Sequence, residues 1–450
     1  MVAAHISATI SGGTDLKQDN EEQPTANNQT TDASLSSSSP PEVDASNRAL
    51  DSHDFRLLLG GVAIGMMGQQ MISVAIGWEL YNQTSSALVL GGVGLAQILP
   101  IILLFLPAGY IIDRYNRKYI MIAAQIVLAL ASLALAALSY RHGPLFLIYA
   151  CLVAIGSAQA FSSPTSSTLV AQVIPEQAYE NAMTWRSSVA QLSAVLGPAI
   201  GGFLIGIFHD ATLVFVVNAI AATLFVLLLF FMRVRRQKAP AFQQRTLSSL
   251  VDGLRFLGKT QVMLAAITLD LFAVLLGGAT TLLPIFARDI LHVGPIGLGW
   301  LQAASSLGAV AMAYYLAHRP PFIHAGRTLL LAVAGFGLVT ILFGLSHWFW
   351  LSLLLLFLLG AFDNISVVIR STLVLIRTPD EMRGRVSSVN SLFIGTSNQL
   401  GGFESGLTAQ LFGPVIAVVA GGIGTILVVI LVARLWPEMR RLSTLREHIT

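Results

Sequence analysis

Four ionisable residues stand inside long apolar stretches of this chain: Asp270, Asp363, Arg370 and Glu404. A charge at the centre of a membrane helix costs about 2.5–3.5 kcal/mol on insertion scales, so a charge kept there points to proton exchange or to a buried ion pair. The chemistry on offer is the gain and loss of a proton at a carboxylate, with the Arg370 guanidinium competing for that carboxylate. Asp363 lies two helical turns before Arg370, on the same face. Depth counted at about 1.5 Å per residue sets Asp270 level with Arg370. Asp270 or Asp363 is therefore the expected proton carrier, and a fixed pair holding two helices together is the competing reading. Glu404 is expected in a turn, GGFESG, at the end of its helix, in a structural or a coupling role. The uncharged polar residues Gln69, Gln70, Gln159 and Asn364 fall near the middle of apolar segments. They are candidates for hydrogen bonds to a substrate or between helices.

The elements that must position these groups are read from composition. The chain has 450 residues, 54% hydrophobic and 11% charged, and its mean hydropathy is +0.72. A soluble domain carries about 25% charged residues, so so much apolar surface calls for a bilayer. Apolar segments run at about 55–81, 88–112, 118–140, 144–172, 184–207 and 211–232, then at about 261–287, 295–317, 328–346, 349–376, 386–408 and 411–436. Continuous runs without strict alternation predict helices rather than a β-barrel. Cys151 lies inside one of them as the sole cysteine, so no intrachain disulfide forms.

Charge placement sets the orientation. Arg114, Arg117 and Lys118, then Arg319 and Arg327, then Arg377, Arg383 and Arg385, then Arg440 and Arg441 fall on one side. Little beyond Arg141 and Arg288 falls on the other, so both termini are expected in the cytoplasm of a cell inner-membrane protein. The net charge of +3 comes from these loop residues and predicts no nucleic-acid partner. The expected organisation is a disordered cytoplasmic tail over 1–53, a six-helix lobe over 54–232, a basic cytoplasmic linker over 233–260, a second six-helix lobe over 261–436 and a cytoplasmic tail over 437–450.

The two lobes repeat. An offset of 204 residues lays Ser167-Thr168-Leu169-Val170 on Ser371-Thr372-Leu373-Val374, Pro175 on Pro379, Leu196-Gly197 on Leu400-Gly401 and Gly202 on Gly406. Helices 4 and 5 thus recur as helices 10 and 11, as in carriers whose halves rock about a midplane site.

Two motifs carry a family resemblance. The loop after helix 2 reads Pro107 to Lys118 with Gly109, Asp113, Arg114, Arg117 and Lys118 in order, a charge cluster beside a helix end. It resembles the loop 2–3 gating signature of the major facilitator superfamily, with Asn116 where a second glycine is usual. Helix 5 contains Gly197, Pro198, Gly201 and Gly202, resembling the glycine-proline motif of antiporter members. The stretch from Asp363 to Glu404 and the run GWELYNQTSSALVLGGVGLAQILP resemble the branch of macrolide-efflux and enterobactin-exporter-like proteins, from about residue 54 onward. Helix 4 lacks the arginine that many proton-coupled drug antiporters carry there.

The resemblance implies an all-α membrane protein of twelve transmembrane helices in two six-helix lobes, with helices 1, 4, 7 and 10 around a central cavity. It implies a monomeric secondary transporter that exports a small amphipathic molecule, a drug-like compound or siderophore, with protons as the coupling ion. Uptake of a nutrient or flipping of a lipid on the same fold is an alternative, and a membrane sensor or scaffold is a further one. No metal-ligand spacing and no phosphate-binding loop is seen, so neither an enzyme, a metal nor a cofactor is expected.

Overall fold

The computed structural model describes residues 49–233, 247–320 and 322–441. Most of the expected N-terminal tail, the linker residues Arg235, Arg236, Lys238 and Arg245, and the end of the C-terminal tail lie outside the described residues.

Apolar runs become helices even where Pro100, Pro107, Pro164 and Pro198 fall inside them, and local polar residues mark where they start. Ser52 accepts a hydrogen bond from the Phe55 amide, Ser86 from the Val89 amide and Asn116 from the Lys118 amide, which opens helices 1, 2 and 3 at His53–Thr84, Ala87–Arg114 and Arg117–Tyr140. Helices 4 to 6 follow as Leu145–Val173, Tyr179–Phe208 and Thr212–Phe231. After an amphipathic helix, Leu247–Lys259, helix 7 covers Gln261–Ile290. Helices 8, 9 and 10 are Gly294–Ala317, Ala325–Leu345 and Phe349–Arg377. Helices 11 and 12 are Asp380–Phe412 and Pro414–Leu435. Among the described residues eleven of these are long and apolar enough to span a bilayer by composition. Helix 11 is the exception, because between its charged ends the stretch 386–403 is diluted by serines, asparagines, a glutamine and glycines. It nonetheless packs against helix 7 and helix 2. The GGFESG run is helical, not a turn.

Helix 7 is not continuous. It is α-helical over Gln261–Leu276, breaks at Gly277-Gly278, and resumes as a 3₁₀ turn at Ala279–Leu282 and a wide π turn at Phe286–Ile290. A Cβ on Gly278 would stand 2.7 Å from the Gly401 carbonyl oxygen, so the break packs on helix 11. Interrupted backbone survives at membrane depth where it is enclosed by protein or lines a cavity.

Within the first lobe, helix 1 packs on 5 and 6, and helices 3 and 4 complete the layer; in the second, helix 8 packs on 10, 9 on 12, and 7 on 11. The lobes meet along two seams, helix 5 against 8 and helix 2 against 11. These seams are internal copies of one another. A Cβ on Gly202 would lie 2.4 Å from the Pro295 carbonyl oxygen and 2.8 Å from the Gly299 Cα. One on Gly406 would lie 2.7 Å from the Ala87 carbonyl oxygen and 2.8 Å from the Gly91 Cα. Backbone thus meets backbone at both, which only glycine permits.

Twelve crossings return the chain to the face it started from, here the terminal face. Both seams close near the opposite face. Side-chain hydrogen bonds join the lobes there too. Tyr81 donates to Asp289, Arg288 donates to the Tyr81 carbonyl (3.1 Å) and the Ser85 hydroxyl (3.3 Å), and Ser86 donates to Gln410 (3.0 Å).

Gly202→Val forces a branched side chain into backbone that cannot yield, at a cost of about 1–3 kcal/mol. The thermal midpoint in detergent should fall by several degrees, and cross-linking of a Ser86→Cys, Gln410→Cys pair in a Cys151→Ser background should drop. Gly60→Ala, with nothing within 4 Å of the added carbon, should change neither.

Candidate functional site

Between the lobes, directly beneath the latched face, lies a chamber of ≈ 350 Å³. Both lobes line it. Helices 1, 2 and 5 contribute Gln70, Ser73, Gln97 and Pro198, and helices 7, 8 and 11 contribute Thr280, Thr281, Gln302, Ser305 and Gln399. Its polar groups are neutral donors and acceptors, set among Ile76, Leu90, Val93, Leu283 and Pro284. Such a surface holds an amphipathic molecule by burial and orients it by a few hydrogen bonds. Thr280 and Thr281, in the 3₁₀ turn that follows the break in helix 7, form part of this wall.

The helix-5 motif shapes this chamber from two sides. A Cβ on Gly197 would meet the Gln70 Cβ at 2.5 Å, and one on Gly201 the Met71 Cα at 3.1 Å, so these two glycines seat helix 5 on helix 1. Gly202 faces the other way, onto helix 8, and Pro198 forms part of the chamber wall.

The charged residues lie elsewhere. Arg370 forms an ion pair with Asp270, their side chains only 4% and 10% exposed. Both helices belong to the second lobe, so the pair ties helix 7 to helix 10 within that lobe and does not reach across the chamber. Asp363, with Asp270, Phe336 and Ser366, borders a gap of ≈ 10 Å³. That is about the room one water needs. The Asn364 Oδ1 is buried without a hydrogen-bond partner. Glu404 accepts a hydrogen bond from Thr408 (2.8 Å) one turn later and is half-buried in helix 11.

Gln69 and Gln159 line a third space, a crevice of ≈ 230 Å³ inside the first lobe between helices 1, 3, 4, 5 and 6. Arg186 lines it as well and donates to the Ser167 hydroxyl at 2.9 Å. Sequence reasoning missed Arg186, and it missed Gln97, Gln302 and Gln399.

At the loop 2–3 motif, Gly109 and Asp113 lie in the last turns of helix 2. Arg114 donates to the Tyr110 hydroxyl (2.6 Å), and Arg117 is 8% exposed. Lys118 donates to the Phe230 and Met232 carbonyls (3.2 and 2.7 Å) where helix 6 ends, a cation on the negative end of a helix.

A family model described as Major Facilitator Superfamily matches residues 58–395. The "Multidrug efflux pump Tap" of Mycolicibacterium fortuitum is 25% identical over 368 residues, covering 79% of this chain and 89% of the relative. The "Enterobactin exporter EntS" of Escherichia coli O1:K1 / APEC is 24% identical over 349 residues, covering 76% and 82%. Among solved structures, a bacterial homolog to the human lysosomal transporter Spinster, in an inward-facing and occupied conformation, superposes with a TM-score of 0.69 at 15% identity, covering 87% of this chain and 98% of that one.

Breaking a buried ion pair from one side leaves an uncompensated charge, at about 3–5 kcal/mol. Asp270→Asn and Arg370→Gln should each lower the melting temperature more than the double variant does, as read by thermal unfolding in detergent.

Proposed function

The chain belongs to the major facilitator superfamily, and we propose that it exports a small amphipathic molecule, a drug-like compound or siderophore, from the cytoplasm in exchange for protons. The observation that carries this reading is the chamber of ≈ 350 Å³ that both lobes wall, directly beneath the latch that joins Tyr81 to Asp289 and Ser86 to Gln410. The likeness to relatives named for multidrug efflux and for enterobactin export supports the direction.

In this reading the terminal face is cytoplasmic, because the loops there hold most of the arginines. The protein lies in the inner membrane as a monomer, with residues 54–232 and 261–436 as its lobes, 233–260 as a cytoplasmic linker and 1–53 and 437–450 as cytoplasmic tails. The latched conformation then presents the chamber to the inside. Cargo enters, burying apolar surface against Ile76, Leu90 and Leu283 and hydrogen-bonding to Gln70 and the other glutamines. The lobes next rock about their two glycine seams. Asp113, Arg114, Arg117 and Lys118 form the gate that closes the cytoplasmic side, while Gly197, Pro198, Gly201 and Gly202 keep helix 5 seated as the lobes move.

Coupling runs through the second lobe. A proton arriving at Asp363 or Asp270 neutralises one carboxylate beside Arg370, which shifts the arginine's partner and the tie between helices 7 and 10. The water-sized gap between the carboxylates gives the proton a short path. Glu404 and Asn364 set the polarity on either side of that route.

Proteoliposomes carrying a pH gradient and a labelled panel of neutral, cationic and anionic amphiphiles test both halves. Gradient-driven flux should fall about tenfold or more in Asp363→Asn, with exchange of cargo for cargo retained, since a proton step worth about 1.4 kcal/mol or more is lost. Full gradient-driven flux in both Asp363→Asn and Asp270→Asn would remove proton coupling. Accumulation that rises in cells when the gene is deleted is the expected sign of export, whereas a fall means uptake.

A further inference from the structure

The two lobes contain the same crevice, used differently. The seam glycines Gly91 and Gly299 are equivalent at an offset of 208, and the helix 4–5 and 10–11 repeat has an offset of 204. With these offsets Asp270, Val274 and Val333 fall on Val62, Met66 and Gln125, and Asp363 and Ser366 on Gln159 and Ser162. The first-lobe residues so reached all line the ≈ 230 Å³ crevice, and the second-lobe residues all line the ≈ 10 Å³ gap. One duplicated space is thus nearly filled, with Phe336 and Phe362 where the first lobe has Leu128 and Ala158, and the other is open.

The charges have been exchanged along with the volume. Asp270 becomes Val62, Arg370 becomes Ser166 and Asp363 becomes Gln159, so the first-lobe crevice lacks both members of the pair. Instead Arg186 enters from helix 5. Among the described residues no carboxylate pairs with it, and its hydrogen bond goes to the neutral Ser167 hydroxyl. The Ser166 hydroxyl, 7% exposed and lining the same space, has no hydrogen-bond partner. A guanidinium, a spare hydroxyl and the amides of Gln125 and Gln159 around a space large enough for a small molecule make a set of donors that lacks its anion. Gln69 and Ser163, both exposed, give it access.

We propose that this crevice is a subsite for an organic oxyanion, a carboxylate or sulfonate borne by an amphipathic cargo, which takes at Arg186 the place that Asp270 takes at Arg370. The identity of the anion's bearer rests on the export reading; the binding of the anion does not.

The test uses the full-length protein in phosphatidylcholine nanodiscs, titrated with 1-naphthoate and with 1-naphthamide, which differ only in the charged group. Naphthoate should bind about tenfold more tightly than the amide, the worth of one charge-assisted contact. Arg186→Gln should bring the two to parity, Arg186→Lys should keep part of the preference, and Gly60→Ala, with nothing within 4 Å of the added carbon, should keep all of it. Equal binding of the two probes to the unaltered protein, which needs no variant to fold, overturns the subsite. A preference that survives Arg186→Gln overturns it also. A phosphatidylglycerol headgroup is the other source of an oxyanion. If adding that lipid to the nanodiscs abolishes naphthoate binding, the crevice is a lipid site and the cargo assignment is wrong. Preference for naphthoate together with flux indifferent to a pH gradient leaves the subsite standing and removes only the proton coupling.

Discussion

Everything in this molecule depends on how closely two helices approach where no side chain stands between them. In a bilayer, lipid tails solvate a leucine as well as a neighbouring helix does, so the lobes are not driven together by apolar burial. Contact must come from backbone packing, and it does so twice, at Gly202 on Gly299 and at Gly406 on Gly91. Because the seams are copies, the lobes join about a pseudo-symmetric pair of lines, with the chamber between them. Larger residues at either seam would pry the lobes apart and take the chamber wall with them.

Charge obeys the opposite rule. An ion pair buried inside one lobe is not stranded in hydrocarbon if the lobes move relative to one another. The Asp270–Arg370 pair is of this kind, in the second lobe, and the polar latch residues Tyr81, Arg288 and Asp289 sit at a face where water takes over when they separate. The chamber itself is left neutral, with glutamines and hydroxyls whose desolvation costs far less than that of an ion.

The twelve-helix fold was legible because each span is a run of apolar residues bounded by polar caps and arginines, a signal that needs no tertiary context. The glycine-proline motif was legible as close packing, although which helix each glycine touches was not: Gly197 and Gly201 face helix 1 and Gly202 faces helix 8. Equal depth on two helices that the family resemblance sets around the cavity pointed to a pairing of Asp270 with Arg370 across it; the pair forms, but inside the second lobe and away from the chamber. What stayed hidden has physical causes. A helix expected to start at about 184 leaves Arg186 on its rim, where an arginine reads as an interfacial anchor. The helix in fact starts at Tyr179 and carries Arg186 inward. Gln97, Gln302 and Gln399 are single polar residues in apolar helices, and lipid-facing and chamber-facing stripes are equally apolar there, so their direction is not written in the pattern. The break at Gly277-Gly278 sits in an unbroken apolar run that hydropathy cannot divide.

That break has a mechanical consequence. Thr280 and Thr281 in the chamber roof and Arg288 and Asp289 in the latch belong to one short segment, joined to the rest of helix 7 by two glycines. The roof of the chamber and the residues that bolt its outer face are therefore carried by the same dozen residues of one helix.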